Sequence, residues 1–158
     1  MRKLFAATSA VVFVLVTAAP AFADAAVPLH GTYSTEDFSE TVVLPPTSAE
    51  PELLITIQID TNLGPVTQTL EIPFSTWVFH GNGGFHFQGL GTVDFGSGNL
   101  LRTRVNGRFS FFATITTVDQ DVIVGEGIYV GAAGTFHISG FAAVASPPVG
   151  GYIAGVIR

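Results

Sequence analysis

The chain has 158 residues, no cysteine and six basic against twelve acidic residues, for a formal net charge of −6. This balance excludes the basic footprint of a nucleic-acid-binding protein and disfavours contact with an anionic membrane surface. Without cysteine, packing alone has to stabilise the fold, because no disulfide can form.

The first residues have the organisation of a secretory signal peptide. Arg2 and Lys3 give a positive start, a short apolar run follows, and an Ala-Phe-Ala cleavage site ends at Ala23. Cleavage of residues 1–23 would leave a single domain, residues 24–158, in the periplasm or secreted. Four arginines then remain against twelve acidic residues, which gives a net charge of −8. No later run approaches the roughly 20 apolar residues of a spanning helix, so no membrane insertion is expected after cleavage.

The first half of the domain is predicted to consist of strands separated by one long polar segment. Residues 27–34 form a plausible edge strand, while residues 35–52 are acidic and proline-rich, and only 41–44 are strand-like within them. That segment is either a solvated loop or a lid over one end of a barrel. Residues 53–60 and 66–72 alternate between apolar and polar side chains, which is typical of half-buried strands.

A hairpin with aromatic residues on both strands is predicted around a glycine-rich tip at 81–84. Pairing Phe79 with Phe85 across the tip places the aromatic side chains of both strands on one side, since cross-strand partners share a face. These are Trp77, Phe79, Phe85 and Phe87. His86 falls on the opposite side. We therefore predict that the aromatic side faces the interior.

The next segment, residues 100–118, contains the dipeptide Asn106-Gly107, which predicts a type I′ hairpin turn. Such a turn sets Arg104 opposite Phe109, and Arg102 opposite Phe111. If the phenylalanines face inward, two guanidinium groups enter the lumen and can bind a carboxylate or phosphate. If this side faces outward, or a bulge shifts the register, the arginines are surface residues.

The end of the chain is rich in glycine. A turn is predicted at 119–121, and residues 122–130 and 134–145 are predicted as strands. Glycines occupy five positions between 125 and 140, four of them within these strands. A last strand is expected at 152–157. The whole pattern predicts an all-β fold, a closed antiparallel barrel of about eight strands, with a β-sandwich as the alternative.

Residues 125–134, GEGIYVGAAG, followed by TFHISG, resemble a motif of the allene oxide cyclase and dirigent-like barrels, which reads G-G-[ST]-G-x-F-x-G-A-x-G. The matching residues are Gly125, Gly127, Gly131, Ala132 and Gly134. Tyr129 lies near the aromatic position, and Glu126 replaces a small hydroxyl residue. The resemblance covers a short part of the domain. It implies an eight-stranded barrel with an apolar cavity, assembly into dimers or trimers, and cyclisation of reactive apolar intermediates; it places no catalytic residue on this chain.

Few residues are candidates for chemistry. The four histidines lack the spacing of a zinc site, so no metal or other cofactor is expected. Glycine patterns match neither a nucleophile elbow nor a dinucleotide fingerprint. The aromatic residues are either barrel core or the lining of a partly open cavity. With the arginines, the predicted cavity residues are Trp77, Phe79, Phe85, Phe87, Arg102, Arg104, Phe109 and Phe111.

Three functions are consistent with these patterns. The first is an exported barrel that binds a small apolar ligand, acidic if the arginines face the lumen. The second is a cyclase or isomerase of the kind that the resemblance implies. The third is a non-catalytic oligomeric surface protein with a solid barrel. The expected partner is a small apolar molecule, with homo-oligomers as a further option, and a measurable cavity would separate the third function from the first two.

Overall fold

Antiparallel strands close into a barrel in the computed structural model, which describes residues 25–81, 83–110, 115–141 and 150–158. The strands are β1 (Val27–Tyr33), β2 (Phe38–Val43), β3 (Glu52–Thr61), β4 (Gly64–Pro73), β5 (Val78–His80), β6 (Gly84–Asp94), β7 (Leu100–Ser110), β8 (Ile115–Glu126), β9 (Gly134–Phe141) and β10 (Gly151–Ile157). Three single 3-10 turns lie between them, and the described residues contain no α-helix. The all-β prediction is confirmed.

The barrel consists of eight strands in the order β1-β10-β9-β8-β7-β6-β4-β3, and β2 and β5 are additional strands on β3 and β6. Closure depends on a short contact between β1 and β3, where Gly31 pairs with Thr61 and Thr32 with Asp60. A Cβ atom on Gly31 would collide with the carbonyl oxygen of Asp60, so the close approach needs glycine. The closed barrel is therefore confirmed over the sandwich alternative.

Every second side chain of β3 and β4 points into the lumen, as the alternation in the sequence predicted. Ile57 and Ile59 are buried on β3, while Gln58 and Asp60 point to solvent. On β4 every second side chain is buried, from Val66 to Ile72. Burial of such side chains contributes about 1.5–3 kcal/mol each, which is the main stabilising term in a chain without disulfides.

The aromatic hairpin has the predicted register. Val78 pairs with His86, and Phe79 pairs with Phe85. His86 is exposed, as expected for the outer side. The first strand of the hairpin is short, because the 3-10 turn Phe74–Thr76 follows Pro73 and only three residues, Val78–His80, pair with β6.

The predicted Asn106-Gly107 turn is wrong. Both residues lie inside the continuous strand β7, where Asn106 pairs with Gln88 and Asp119, and Gly107 pairs with Phe87 and Val118. Gly107 does not adopt the positive φ that a type I′ turn requires. Its role is spatial, because a Cβ atom there would collide with the ring of Phe87. Residues 119–121 likewise lie inside β8, so the turn predicted there is also wrong.

The glycine-rich run closes the barrel end away from the aromatic hairpin. β8 ends at Glu126, and the 3-10 turn Gly127–Tyr129 replaces the predicted extension of that strand to residue 130. Gly127 (φ 66°) and Gly131 (φ 82°) take left-handed conformations that suit glycine. Tyr129 is buried, and its ring packs 4.6 Å from that of Phe95.

The proline-rich segment differs from its prediction, and two other predictions lie wholly or partly outside the described residues. The proline-rich segment is not a loop throughout, since residues 38–43 form β2 along β3, a longer strand than the predicted 41–44. The last part of the strand predicted at 134–145 and the signal peptide predicted at residues 1–23 lie outside the described residues.

Candidate functional site

A cavity of about 350 Å³ occupies the barrel end that carries the aromatic hairpin. It is bounded by side chains from seven of the eight barrel strands and from the additional strands β2 and β5. The lining residues include Tyr33, Phe38, Glu40, Val42, Leu53, Leu70, Phe74, Trp77, Phe79, Phe85, Phe87, Phe109, Thr116 and Val118. The lumen is therefore packed at one end and open at the other.

Stacked aromatic rings form one wall of the cavity. The indole of Trp77 lies parallel to the ring of Phe85, with centroids 4.5 Å apart and 12° between the planes. Phe74 meets Trp77 edge-on at 4.9 Å, and Phe109 lies 5.1 Å from Phe85. Such pairs add about 0.5–1.5 kcal/mol each beyond the area they bury, so this wall is pre-organised.

The five predicted cavity aromatics of the hairpin and β7 thus come together: Trp77, Phe79, Phe85, Phe87 and Phe109. Phe79 is the most open of them, with 66% of its surface exposed at the mouth. Phe95 and Phe136 contribute instead to the packed part of the lumen. Phe111 lies outside the described residues.

The floor of the cavity is apolar, and a polar layer lies below it. Leu70, Phe87 and Val118 form part of the floor and are nearly inaccessible to solvent. The next inward residues along the strands are Gln68 on β4 and Gln120 on β8. The Thr103 hydroxyl donates to Oε1 of Gln120 at 2.6 Å, and Nε2 of Gln68 donates to the same atom at 3.3 Å. This polar layer separates the cavity from the packed end.

Arg102 and Arg104 lie on the outer surface, so their predicted place in the lumen is wrong. Because β7 is continuous through residues 106 and 107, odd-numbered residues from Leu101 to Phe109 point inward and even-numbered ones outward. Arg102 pairs with Glu126 on the surface, with Nε 3.1 Å from Oε1 and both side chains about half exposed (54% and 46%). The alternative left open by the sequence, surface arginines, is the correct one.

The mouth of the cavity includes residues that the sequence analysis did not single out. Phe38, Glu40 and Val42 on β2 line it at every second position. This period of two is visible in the sequence FSETV, but the surrounding acidic and proline-rich residues dominated the interpretation of that segment. β2 borders the opening, which agrees with the lid alternative in position.

Tyr33, at the end of β1, also lines the cavity and was not among the predicted residues. Its hydroxyl lies against Gly140 and Gly151, where a Cβ atom on either would collide with it. Burial raises the pKa of Tyr33 to about 12, because the neutral phenol tolerates desolvation better than the phenolate. No hydrogen bond from this hydroxyl to another described residue is formed.

The raised pKa of Tyr33 predicts alkaline destabilisation. The neutral Tyr33 phenol contributes fully to stability below pH 10, which is the ordinary tyrosine pKa. This contribution is lost as the pH rises from about 10 to about 12, because the folded protein resists ionisation of the phenol that the unfolded chain allows. Allowing for partial exposure, we expect a loss of about 1–2 kcal/mol of unfolding free energy. Urea unfolding between pH 8 and pH 11.5 would measure it, since the chain has no cysteine and its only lysine is Lys3.

The Tyr33→Phe variant is the control for this pH dependence. Its unfolding free energy should fall less over the same range, with a residual slope from Tyr129, whose pKa burial also raises. Equal slopes in the variant and the wild type would contradict the assignment to Tyr33.

Outside the cavity, the described histidines lie on the outer surface, and three of the four have a close side-chain neighbour. Nδ1 of His137 lies 2.8 Å from Oδ1 of Asp119 on the outer face, and the rings of His80 and His86 are 4.5 Å apart. In the described part of the chain, no three metal-binding side chains converge. No helix among the described residues is long and apolar enough to cross a bilayer.

Comparison of the chain with models of known protein families, with curated proteins and with solved structures gave no match.

Proposed function

We propose that this barrel binds a small, uncharged apolar molecule in the cavity at its aromatic end. The observation that carries the proposal is the cavity itself: about 350 Å³ of open lumen bounded by pre-organised aromatic and aliphatic side chains. At the packing density of protein interiors, this volume suits a molecule of about 15 non-hydrogen atoms. The N-terminal sequence pattern supports action outside the cytoplasm.

The charges around the cavity favour an uncharged ligand over the acidic one considered from the sequence. Its described lining contains no arginine, lysine or histidine, and its only carboxylate is that of Glu40 at the mouth. An anion entering the lumen would lose its hydration without gaining a cationic partner, which costs several kcal/mol. Arg102 and Arg104 cannot provide that partner, because they lie on the outer face.

Fluorescence of a matched pair of dyes tests both the binding and the charge preference. N-phenyl-1-naphthylamine is uncharged, and 1-anilinonaphthalene-8-sulfonate has the same skeleton with an added sulfonate. We expect saturable enhancement of the uncharged dye and at least tenfold weaker binding of the sulfonate. Absence of saturable binding of the uncharged dye would refute the proposal.

Two substitutions of the same kind locate the binding. Leu53→Trp adds rings to the cavity lining, whereas Leu90→Trp changes a residue that is 55% exposed on the outer face of β6. We expect the first variant to weaken dye binding at least fivefold and the second to leave it unchanged. Equal effects would place the dye outside the lumen. Unfolding curves of both variants would show that the barrel is retained.

A cyclase or isomerase of the allene oxide cyclase or dirigent-like type is the second candidate, and the tyrosine in the cavity favours it. Tyr33 could donate a hydrogen bond to an oxygen on a reactive intermediate. Glu40, the cavity's other ionisable group, is exposed at the mouth. Incubation with an unsaturated apolar epoxide separates the two functions: an isomerase would return a product of equal mass and different retention, and a binding protein the unchanged compound.

The third function considered from the sequence, a surface protein with a solid barrel, has less support. Its physical basis was a lumen filled by its own side chains, and the volume at the aromatic end is not filled. Association into oligomers is compatible with any of the three functions and is not needed for the cavity, which residues of a single chain enclose.

A further inference from the structure

We infer that Tyr33 selects ligands carrying a hydrogen-bond acceptor oxygen, so that the molecule bound is an apolar ketone or a similar oxygenated compound rather than a pure hydrocarbon. This inference rests on the proposed function and specifies the ligand class. Three features of the cavity carry it: the position of the Tyr33 hydroxyl, its lack of a partner in the described part of the chain, and the scarcity of other polar groups around it.

The position of the hydroxyl is fixed by two glycines. Gly140 on β9 and Gly151 at the start of β10 are register partners, and the phenol of Tyr33 occupies the space that their side chains would take. Thr116 on β8 pairs with Gly140 from the other side and also lines the cavity. Tyr33 and Thr116 are therefore both next to Gly140, in one patch of a largely apolar wall.

The hydroxyl is available as a donor. Within the residues described, no side chain or backbone group accepts a hydrogen bond from Tyr33. Its hydroxyl oxygen is accessible from the cavity. Nε1 of Trp77, another lining residue, also lacks a partner, but that atom is fully buried. The phenol is protonated at neutral pH, since the ordinary tyrosine pKa is already about 10 and burial raises the pKa of Tyr33 further. A polar group in an apolar site without a partner is unfavourable, and an acceptor oxygen on the ligand removes that cost.

Selectivity follows from the same reasoning. An apolar site with few polar groups distinguishes molecules by whether they satisfy those groups, and it rejects analogues that lack the matching atom. Glu40 at the mouth cannot substitute for this function, because a carboxylate accepts hydrogen bonds and the inferred ligand atom is itself an acceptor. The apolar rings around Tyr33 then hold the remainder of the molecule.

Displacement of bound N-phenyl-1-naphthylamine by trans-decalin and by trans-1-decalone tests this inference. The two probes differ by one carbonyl oxygen, so the change in their affinity ratio between wild type and Tyr33→Phe isolates the hydrogen bond, because the hydration of the free probes is the same in both experiments. We expect Tyr33→Phe to weaken ketone binding about five- to tenfold while decalin binding stays within about twofold. The dye reports binding independently of tryptophan fluorescence.

Trp77→Phe is the matched variant, since it removes a buried unpaired donor of another lining residue. It should change the affinity for both probes equally and keep their ratio. An unchanged ratio in Tyr33→Phe, or a ratio that falls only in Trp77→Phe, would overturn the inference while leaving the proposed function intact. Failure of the dye to bind the wild-type protein would refute the proposed function instead. Should Tyr33→Phe fail to fold at neutral pH, the infrared carbonyl band of decalone bound to the wild-type protein decides: a hydrogen bond lowers its frequency below that in a hydrocarbon solvent, and an unshifted band would overturn the inference.

Discussion

Replacing Gly107 by alanine should lower the free energy of unfolding by about 2–3 kcal/mol, the cost of overpacking a well-filled core. The ring of Phe87 lies across Gly107 on the inner side of β7, and three of its carbon atoms occupy the space that the new Cβ would take. Phe87 is 4% exposed, so its ring can move only toward the cavity that it helps to floor. Urea unfolding would measure the loss, and the same shift should weaken dye binding.

Two further variants separate crowding from backbone strain. Gly81→Ala is the matched control, because a Cβ atom there meets nothing within 4 Å and the residue has no positive φ. We expect its stability to stay within about 0.5 kcal/mol of wild type. In a double-mutant cycle, Phe87→Leu should make Gly107→Ala much less costly, since the smaller side chain vacates the contested space. If Gly107→Ala cost as much in the Phe87→Leu background as in the wild type, the cause would be backbone strain at 106–107 and not crowding by the ring.

Gly107 also shows what local sequence signals can and cannot predict. Asn-Gly between strand-like residues is a strong turn signal because it is judged within a few residues. Here the glycine is required by Phe87 on the neighbouring strand β6, whose ring needs space inside the barrel. This tertiary contact determines that residues 106 and 107 lie within a strand, and no pattern in residues 100–110 predicts it.

The incorrect turn at Asn106-Gly107 also led to the incorrect prediction that Arg102 and Arg104 face the lumen. A two-residue turn after Val105 makes Arg104 a partner of Phe109, on one face. In a continuous strand, Arg104 and Phe109 are five positions apart, and an odd offset puts two side chains on opposite faces. Register errors of this kind move every side chain of a strand at once. By contrast, the hairpin of Phe79 and Phe85 has its glycines at an actual tip, so its register and its aromatic face were predictable.

The inner and outer faces of single strands can be predicted from the sequence more readily than the residues that line the cavity. Alternation in β3 and β4 predicts inner and outer faces directly, since it is a property of each strand alone. Tyr33 and Glu40 belong to the site only because β1 closes on β3 and β2 extends along it. Both contacts join segments whose pairing depends on the whole barrel. The period of two in residues 38–42 indicates that Glu40 shares a face with Phe38 and Val42, but not that this face lines the lumen, and no local pattern identifies Tyr33.

The Gln120→Leu variant should lose about 2–4 kcal/mol of unfolding free energy, because it leaves two buried groups unsatisfied. Thr103 would lose the acceptor of its 2.6 Å hydrogen bond, and Gln68 would lose its side-chain partner on β8 and keep only its bond to the carbonyl of Thr69. Gln68 and Thr103 are fully buried, so water cannot replace Gln120 without a rearrangement of the lumen. Urea unfolding at neutral pH would measure the loss.

The triple variant Gln68→Leu, Thr103→Val and Gln120→Leu is expected to recover most of that stability. When all partners in a buried polar cluster become apolar at similar volume, no group is left unpaired, and the exchange is close to neutral. Its cavity should still bind the uncharged dye, since none of the three residues lines it. If the triple variant were as unstable as Gln120→Leu, the cause would be shape rather than unsatisfied polarity. Recovery would instead mean that the polar layer is dispensable for folding, and that the apolar end of the lumen binds independently of it.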